Sequence, residues 1–231
     1  MSGGSRARVL IVTAIAEELA AFSRRRLPED VVMALTGEGP RKAARAVAAL
    51  CARHRPALLV GAGVAGALSC DLVVGDILVA RRVLDSTGTA PPPDENLLAR
   101  ASAMPGARSG TLVSVDRPLV TAAEKAAWAS KVGEPPAAVD MESAAWARAA
   151  AAHGVAYLVI RAISDDAFEE LPGYLSRCMD EDGGIRRSAV AMRALTQPST
   201  IPTLLQMRRR VKDGAERLAA FVEHLVAGVR P

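Results

Sequence analysis

The stretch Ala138–Ala167, AVDMESAAWARAAAAHGVAYLVIRAISDDA, decides the fold predicted for this chain. A short apolar run leads into Asp140-Met141-Glu142, and the Ala-rich block Ser143–Ala152 that follows has strong helix propensity. Gly154 ends that helix, because glycine readily adopts the left-handed conformation of a C-terminal cap. Ala156–Ile163 is then a continuous aliphatic and β-branched run, typical of a buried parallel strand. The stretch therefore predicts a strand–helix–strand unit.

Acidic residues stand at both strand ends of this unit. Glu142 follows the first strand, and Ser164-Asp165-Asp166 follows the second. Ligands of open α/β sheets bind at the carboxyl ends of the strands, so two carboxylates at one crevice indicate acid–base chemistry on a polar substrate. A structural alternative is that Glu142 caps the helix that it precedes and Asp165 caps the next one, because the helix dipole favours acids at these positions.

Apolar runs and helical patterns on either side extend this unit into an α/β fold. Further strands are predicted at Val9–Ile15, Val31–Leu35, Leu58–Val60, Leu72–Val79 and Thr111–Val115, and further helices at Arg41–Arg53, Thr121–Lys131, Ser188–Leu195 and from Pro202 onward. The turn-rich segment Asp85–Asn96 is predicted to be a flexible loop near a site. Since no stretch resembles a linker, we expect one domain over residues 1–231, with residues 1–7 flexible.

The segment Gly61–Gly66, GAGVAG, matches the G-x-G-x-x-G fingerprint of dinucleotide-binding folds. That fingerprint requires a long helix directly after it, then a strand and an acid about 20 residues further on. Here the apolar run Leu72–Val79 follows almost at once. We therefore expect these glycines to permit a close approach to a ligand or a sharp strand connection, and keep a dinucleotide-binding oxidoreductase as a distant alternative.

The composition indicates an ordinary soluble globular protein, with 50% hydrophobic and 23% charged residues. Three cysteines and three histidines are scattered along the chain, which argues against disulfides and a metal site and favours the cytoplasm. A net charge of +4 with 3% aromatic residues gives little support for a nucleic-acid partner. Val9–Ala16 is short for a signal peptide, and Ala57–Ala80 contains Asp71 and Asp76, which a membrane helix tolerates poorly.

The predicted C-terminal helix has a basic cluster, Arg208–Arg210 and Lys212, beside an apolar face. The simpler interpretation is a solvated helix side whose opposite face packs on the domain. The alternative is docking to an anionic membrane surface, which would place the protein at the periphery of the inner membrane.

Six motifs over residues 9–167 resemble the purine nucleoside phosphorylase and nucleosidase superfamily, on its methylthioadenosine/adenosylhomocysteine nucleosidase side. They are TAIAEEL, TGEGPRKAA, GAGVAGAL, VGDILVA, VDMESAA and RAISDDA, in the family's order. Val115-Asp116-Arg117, Leu171-Pro172 and the tail QPSTIPTLLQMRRRVKDGAERL are similar to the hopanoid-associated branch, which removes adenine from adenosylhopane. The resemblance implies an α/β, three-layer fold with a mixed, partly barrel-like sheet flanked by helices. It also implies a homodimer, a nucleoside or nucleoside–lipid substrate, no cofactor and no metal.

The same resemblance implies the site residues. Asp165 corresponds to the acid that protonates purine N7, and Glu18 to the residue that positions the attacking water. Glu142 corresponds to the carboxylate that holds the ribose 2′ and 3′ hydroxyls, with Met141 under the sugar. The remaining substrate contacts implied by the resemblance are Ser164, Val64, Leu119 and Val120.

The chain departs from the family pattern in ways that bear on substrate and reaction. Val64 replaces a small polar residue, and an aliphatic residue near Leu119-Val120 replaces the aromatic one that stacks on the base. Glu17 and Glu18 stand where phosphorylases of this fold hold phosphate, and carboxylates repel that dianion, so hydrolysis is favoured. With phosphate as co-substrate, Arg41 and Lys42 would be the compensating cations. A methylthioadenosine/adenosylhomocysteine nucleosidase, another purine nucleoside phosphorylase and a non-catalytic lipid-binding protein remain as alternatives.

Overall fold

The computed structural model describes residues 8–228, so the expected flexibility of residues 1–7 lies outside the described residues. The described strands are β1 Val9–Thr13, β2 Val31–Leu35, β3 Leu58–Ala67, β4 Ile77–Asp85, β5 Gly88–Thr89, β6 Ala107–Ser114, β7 Ala137–Asp140 and β8 Ala156–Asp165. The α-helices are α1 Ala16–Phe22, α2 Pro40–His54, α3 Glu95–Ser102, α4 Ala122–Val132, α5 Ser143–Ala152, α6 Arg187–Thr196 and α7 Ile201–Ala227. The predicted unit Ala138–Ala167 is confirmed as β7–α5–β8.

Five strands close into a ring. β3 pairs with β7, β7 with β6, β6 with β4, β4 with β8, and β8 again with β3. The β6–β7, β4–β6 and β3–β8 pairs are parallel, and the other two are antiparallel. β1 and β2 extend the sheet from the first half of β3, and β5 pairs with the end of β4. The expected α/β fold with a mixed, partly barrel-like sheet is therefore confirmed.

Helices cover the sheet on both sides. On one side α2 and α5 pack together, and Trp146 of α5 is completely buried there. On the other side Phe22 of α1 packs with the apolar face of α7, including Leu218 and Val222. Each such buried side chain contributes about 1.5–3 kcal/mol. The C-terminal half of α7 therefore packs its apolar face on the domain, as the simpler interpretation of this helix predicts.

The glycine-rich segment differs from its prediction. β3 does not end at Val60 but continues through GAGVAG to Ala67, because β8 pairs with it along its whole length. No helix follows these glycines, so the dinucleotide-binding alternative is wrong. The next strand starts at Ile77 rather than Leu72, since Gly75 and Asp76 bond the backbone of Ile163 in a turn.

The segment Asp85–Asn96 also differs from its prediction. It contains β5 and the first residues of α3, a helix that the sequence did not reveal. The Asp94 side chain caps that helix by accepting a hydrogen bond from Leu97 N at 2.8 Å. No residue of the segment lines the site cavity described below. Asp85, Ser86 and Thr87 lie beside it, because they share a neighbouring cavity with Val115 and Met141 of the site.

No helix within residues 8–228 combines the length and the apolar character needed to cross a membrane.

Candidate active site

A cavity of about 250 Å³ opens beside the carboxyl ends of β1, β3, β7 and β8. Seven of the eight predicted site residues line it, namely Glu18, Val64, Leu119, Met141, Glu142, Ser164 and Asp165. Most other lining side chains are aliphatic, such as Ile15, Val115 and Ile185, while Glu38, Asp140 and Arg161 add charge. Within residues 8–228 no three or more His, Cys, Asp or Glu side chains are grouped to hold a metal ion.

The carboxylate of Asp165 is held at the end of β8. Its Oδ2 lies 2.6 Å from Nζ of Lys125, and its Oδ1 accepts a hydrogen bond from Ser164 Oγ at 2.7 Å. Because no helix starts after β8, the alternative that Asp165 is a helix cap is wrong. Lys125 was missed by the sequence reasoning, and a lysine inside an alanine-rich helix gives no signal of burial.

Glu142 precedes α5 but does not cap it, since its side chain accepts no hydrogen bond from that helix. Its Oε1 accepts instead from Gly39 N at 2.8 Å. Gly39 has φ +92°, and a Cβ there would lie 2.5 Å from the backbone of Gly183, so this turn requires glycine. Burial, together with the nearby negative charge of Asp140, raises the pKa of Glu142 to about 8.

Glu142 occupies the N-cap position of α5, but the side-chain hydrogen bond at the start of that helix comes from Asp140, a third acid that the sequence reasoning left without a role. Its carboxylate accepts from Ser143 N at 3.2 Å and from Ser114 Oγ at 2.6 Å. It also forms a buried ion pair with Arg161, the one charge in the apolar run Ala156–Ile163. Such an isolated charge in a buried strand is a signal of a polar site.

Arg161 connects the carboxyl groups of Asp140 and Glu142 at the wall of the cavity. Its guanidinium donates to Ser143 Oγ at 2.8 Å and lies 4.0 Å from Glu142 Oε2. The ring of Trp146 covers it at 4.6 Å, so the cation is held by stacking as well as by charge.

Glu18 lies at the first turn of α1 with its side chain turned into the cavity. Its Oε2 accepts from Ala14 N at 3.0 Å and Ile15 N at 3.2 Å, and its Oε1 accepts from Val64 N at 2.9 Å. Glu18 is 2% exposed, and burial raises its pKa although Arg161 and these three hydrogen bonds act in the opposite direction. Glu18 therefore both caps α1 and reaches the cavity.

The glycines of GAGVAG make room for the site side chains. A Cβ on Gly61 would lie 2.7 Å from the ring of Trp146, and one on Gly63 would lie 2.0 Å from Nη1 of Arg161. A Cβ on Gly66 would lie 2.7 Å from Oδ2 of Asp165. These glycines therefore admit the protein's own side chains rather than forming the expected sharp strand connection, and a close approach to a ligand stays a prediction.

Val120 is the predicted site residue that does not line the cavity. Its side chain packs with Tyr174, Leu175 and Cys178, and its N–H donates to Oε2 of Glu124 at 2.9 Å. The preceding Leu119 lines the cavity instead.

Of the residues considered for phosphate, Glu18 lines the cavity, whereas Glu17, Arg41 and Lys42 do not. Glu17 forms an ion pair with Arg187 at 2.8 Å. Lys42 pairs with Asp180, and Arg41 donates to Glu181 O at 3.0 Å. All of these partners belong to the segment that follows β8, so these charges fasten that segment to the start of α1 and α2.

Comparison with known families gives the identity of the fold. A profile of the phosphorylase superfamily matches residues 8–196. The chain belongs to this enzyme superfamily. Among solved structures, it is similar to the 5′-methylthioadenosine/S-adenosylhomocysteine nucleosidase of Helicobacter pylori, at 17% identity and a TM-score of 0.74, covering 98% of this chain and 100% of that one.

Two further structures have the same fold. The corresponding nucleosidase of Colwellia psychrerythraea 34H, in complex with adenine, is 23% identical with a TM-score of 0.72, covering 95% of this chain and 94% of that one. The futalosine hydrolase of Helicobacter pylori strain 26695 is 17% identical with a TM-score of 0.74, covering 97% of this chain and 99% of that one.

Proposed function

We propose that this protein releases adenine from an adenine nucleoside by hydrolysing its N-ribosyl bond. The observation that carries the proposal is the convergence of Asp165, Glu142 and Glu18 on one largely apolar cavity. An N-ribosyl bond breaks through an oxocarbenium-like state, so a proton donor at the base and carboxylates around the ribose both lower the barrier. The three acids come from β8, the β7–α5 junction and α1, so that each can face a different part of the nucleoside.

The proposed reaction moves two protons. The C1′–N9 bond breaks, its electron pair passes to the purine, and the Asp165 carboxyl group gives its proton to N7. Glu18 orients a water molecule whose oxygen bonds to C1′, and the Glu18 carboxylate takes a proton from that water. Glu142 binds the ribose hydroxyls above Met141. Solvent then restores the proton of Asp165 and removes that of Glu18, so the products are free adenine and the free sugar.

Burial supports these roles of the two glutamates. The raised pKa of Glu18 makes its carboxylate a stronger base near neutral pH. Glu142, with a pKa of about 8, is protonated near neutrality and can therefore both donate to and accept from a hydroxyl group.

Hydrolysis is favoured over phosphorolysis by the charges around the cavity. Five acids line it, namely Glu18, Glu38, Asp140, Glu142 and Asp165. Within the described part of the chain, Arg161 is the one lysine or arginine on this wall, and Asp140 already neutralises it. Because Glu142 is protonated near neutrality, Asp165 carries the transferred proton and Asp140 is paired with Arg161, the repulsion of a phosphate dianion would come from Glu18 and Glu38.

For the substrate we propose adenosylhopane, so that the protein acts in hopanoid biosynthesis. The resemblance to the hopanoid-associated branch favours it. The largely aliphatic lining of the cavity, which includes Ile185, suits a nucleoside with a hydrocarbon 5′ substituent. Methylthioadenosine or adenosylhomocysteine is the second candidate, because the fold is shared with nucleosidases of those compounds.

We also propose that the protein is a cytoplasmic homodimer that touches the inner membrane through the start of α7. Ile201 and Leu205 are exposed there, 39% and 61%, beside the exposed cations Arg208, Arg209 and Lys212. Each cation near an anionic surface contributes about 1 kcal/mol. The fourth cation of the cluster, Arg210, is paired with Glu169 and contributes less to this surface.

The direct test is to incubate the protein with adenosine, methylthioadenosine and adenosylhopane, with and without phosphate, and to measure adenine and the sugar product. We expect adenine release without phosphate, fastest from adenosylhopane. Activity that appears only with phosphate, with a ribose 1-phosphate-type product, would overturn hydrolysis. Faster release from methylthioadenosine would move the assignment to small nucleosides, and no release from any nucleoside would reject the proposed function.

A further inference from the structure

A buried lysine stands directly behind the proposed acid. Lys125 belongs to α4, is 1% exposed and does not line the cavity. Its Nζ lies 2.6 Å from Asp165 Oδ2, 2.6 Å from the carbonyl oxygen of Asp166 and 3.1 Å from that of Glu169.

These three contacts indicate that the Lys125 side chain is an ammonium group. A neutral amine has two N–H groups, whereas the ammonium group has three, so three oxygen acceptors are all satisfied only by the ammonium. Burying such a charge is costly unless it is paired and fully hydrogen-bonded, and both conditions are met here. The lysine is therefore fixed in one position, and it fixes its partners in turn.

The first partner is the carboxylate of Asp165. Lys125 holds its Oδ2, and Ser164 Oγ holds its Oδ1 at 2.7 Å. The carboxylate also lies against β3 at Gly66, where a Cβ would be only 2.7 Å from Oδ2. These contacts on three sides leave the acid a single orientation towards the cavity.

The second partner is the segment that follows the acid. Lys125 binds the carbonyl groups of Asp166 and Glu169, and Leu171 N donates to Val120 O at 2.8 Å just before α4 starts. The segment is thus held against α4 by two contacts: Lys125 binds its first residues, and the Leu171–Val120 hydrogen bond holds its continuation. Leu171, which lines the cavity, is thereby held beside Val120, the neighbour of the lining residue Leu119. Lys125 therefore sets the distance between the acid and the wall on which the base would lie.

We propose that Lys125 is a positioning residue for the reaction: it orients Asp165 and holds it at a fixed distance from the base-binding wall. This inference rests on the proposed function, in which Asp165 protonates the leaving base. Asp165 carries the transferred proton until the base leaves, and the ammonium group of Lys125 then pairs with the carboxylate that remains. Displacement of a catalytic group by about 1 Å costs about 100-fold in rate, so the loss of Lys125 is expected to act on turnover.

The test compares Lys125→Met, Lys131→Met, Asp165→Asn and the double variant Lys125→Met/Asp165→Asn in steady-state adenine release. Lys131 is a matched control, because it lies on the same helix but is exposed over the ring of Trp128. We expect Lys125→Met to lower kcat by about 10- to 100-fold with KM changed less than about threefold, since the sugar contacts are untouched. Lys131→Met is expected to stay within about twofold of the wild type.

The double variant separates positioning from general support of the fold. If Lys125 acts through Asp165, the double variant has the kcat of Asp165→Asn within about twofold, because the acid that Lys125 orients is already absent. The double variant should also have a higher Tm than Lys125→Met, which leaves a buried unpaired carboxylate. If Lys125→Met does not fold, the comparison of the double variant with Asp165→Asn still decides the question.

Three results would overturn the inference. Wild-type kcat in Lys125→Met is one, and a further loss of tenfold or so when Lys125→Met is added to Asp165→Asn is another. A loss confined to KM is the third. An inactive wild-type protein would instead reject the proposed function, and this inference with it.

Discussion

Replacement of Glu142 by Gln is expected to change how stability depends on pH. Burial and the nearby Asp140 raise the pKa of Glu142 from 4.5 to about 8. A group whose pKa is higher in the folded state stabilises the fold at low pH, and this stabilisation is lost as the pH rises through the folded value. The free energy of unfolding falls by about 1.4 kcal/mol per pH unit between pH 4.5 and about pH 8, so the total loss is roughly 4–5 kcal/mol.

The glutamine variant isolates this contribution. Gln keeps the shape and the acceptor for Gly39 N, which lies 2.8 Å from Oε1, but it does not titrate. Urea unfolding at about pH 5 and at about pH 8 should show the free energy of unfolding of the wild type falling relative to the variant by several kcal/mol. Glu29→Gln serves as the control, because Glu29 is exposed. Parallel pH dependences of wild type and Glu142→Gln would refute the reasoning.

Three other predictions follow from the site and the surface. Asp165→Asn should lower kcat about 100-fold or more, the usual scale for a lost general acid, and wild-type adenine release from it would remove Asp165 from the mechanism. Glu142→Gln should slow the cleavage of ribosides far more than of 2′-deoxyribosides, because its proposed partners are the sugar hydroxyls; equal losses would contradict that role. The protein should sediment with anionic vesicles at low salt and less so after Arg208, Arg209 and Lys212 are replaced by Gln, whereas an unchanged pellet would show that these residues are merely solvated.

Much of the site could be located from the sequence because its acids follow recognisable strands. Glu142 and Asp165 end the two strands of one strand–helix–strand unit, and the carboxyl ends of neighbouring strands lie close together. The order of motifs then placed Glu18 and Val64 in the same cavity. Periodicity thus predicted the strands and helices of this unit, and the family resemblance implied that these side chains share one site.

What could not be predicted depends on tertiary pairing. Glycines favour turns when judged locally, but β8 pairs along the whole of β3 and keeps Gly61–Gly66 extended. Lys125 is buried because the segment after Asp165 folds over it, and the sequence of α4 itself contains no signal of that burial. The helix Glu95–Ser102 was hidden by the prolines that precede it.

The glycines of β3 have a consequence for any attempt to redesign the pocket. Gly61, Gly63 and Gly66 make room for the site because they have no side chain. Even a single added methyl group would collide with Trp146, Arg161 or Asp165. These positions therefore offer no gradual route to a new specificity. Val64 and Leu119 line the same cavity with side chains of their own, so directed evolution towards other nucleosides should accumulate changes there and leave the strand's glycines untouched.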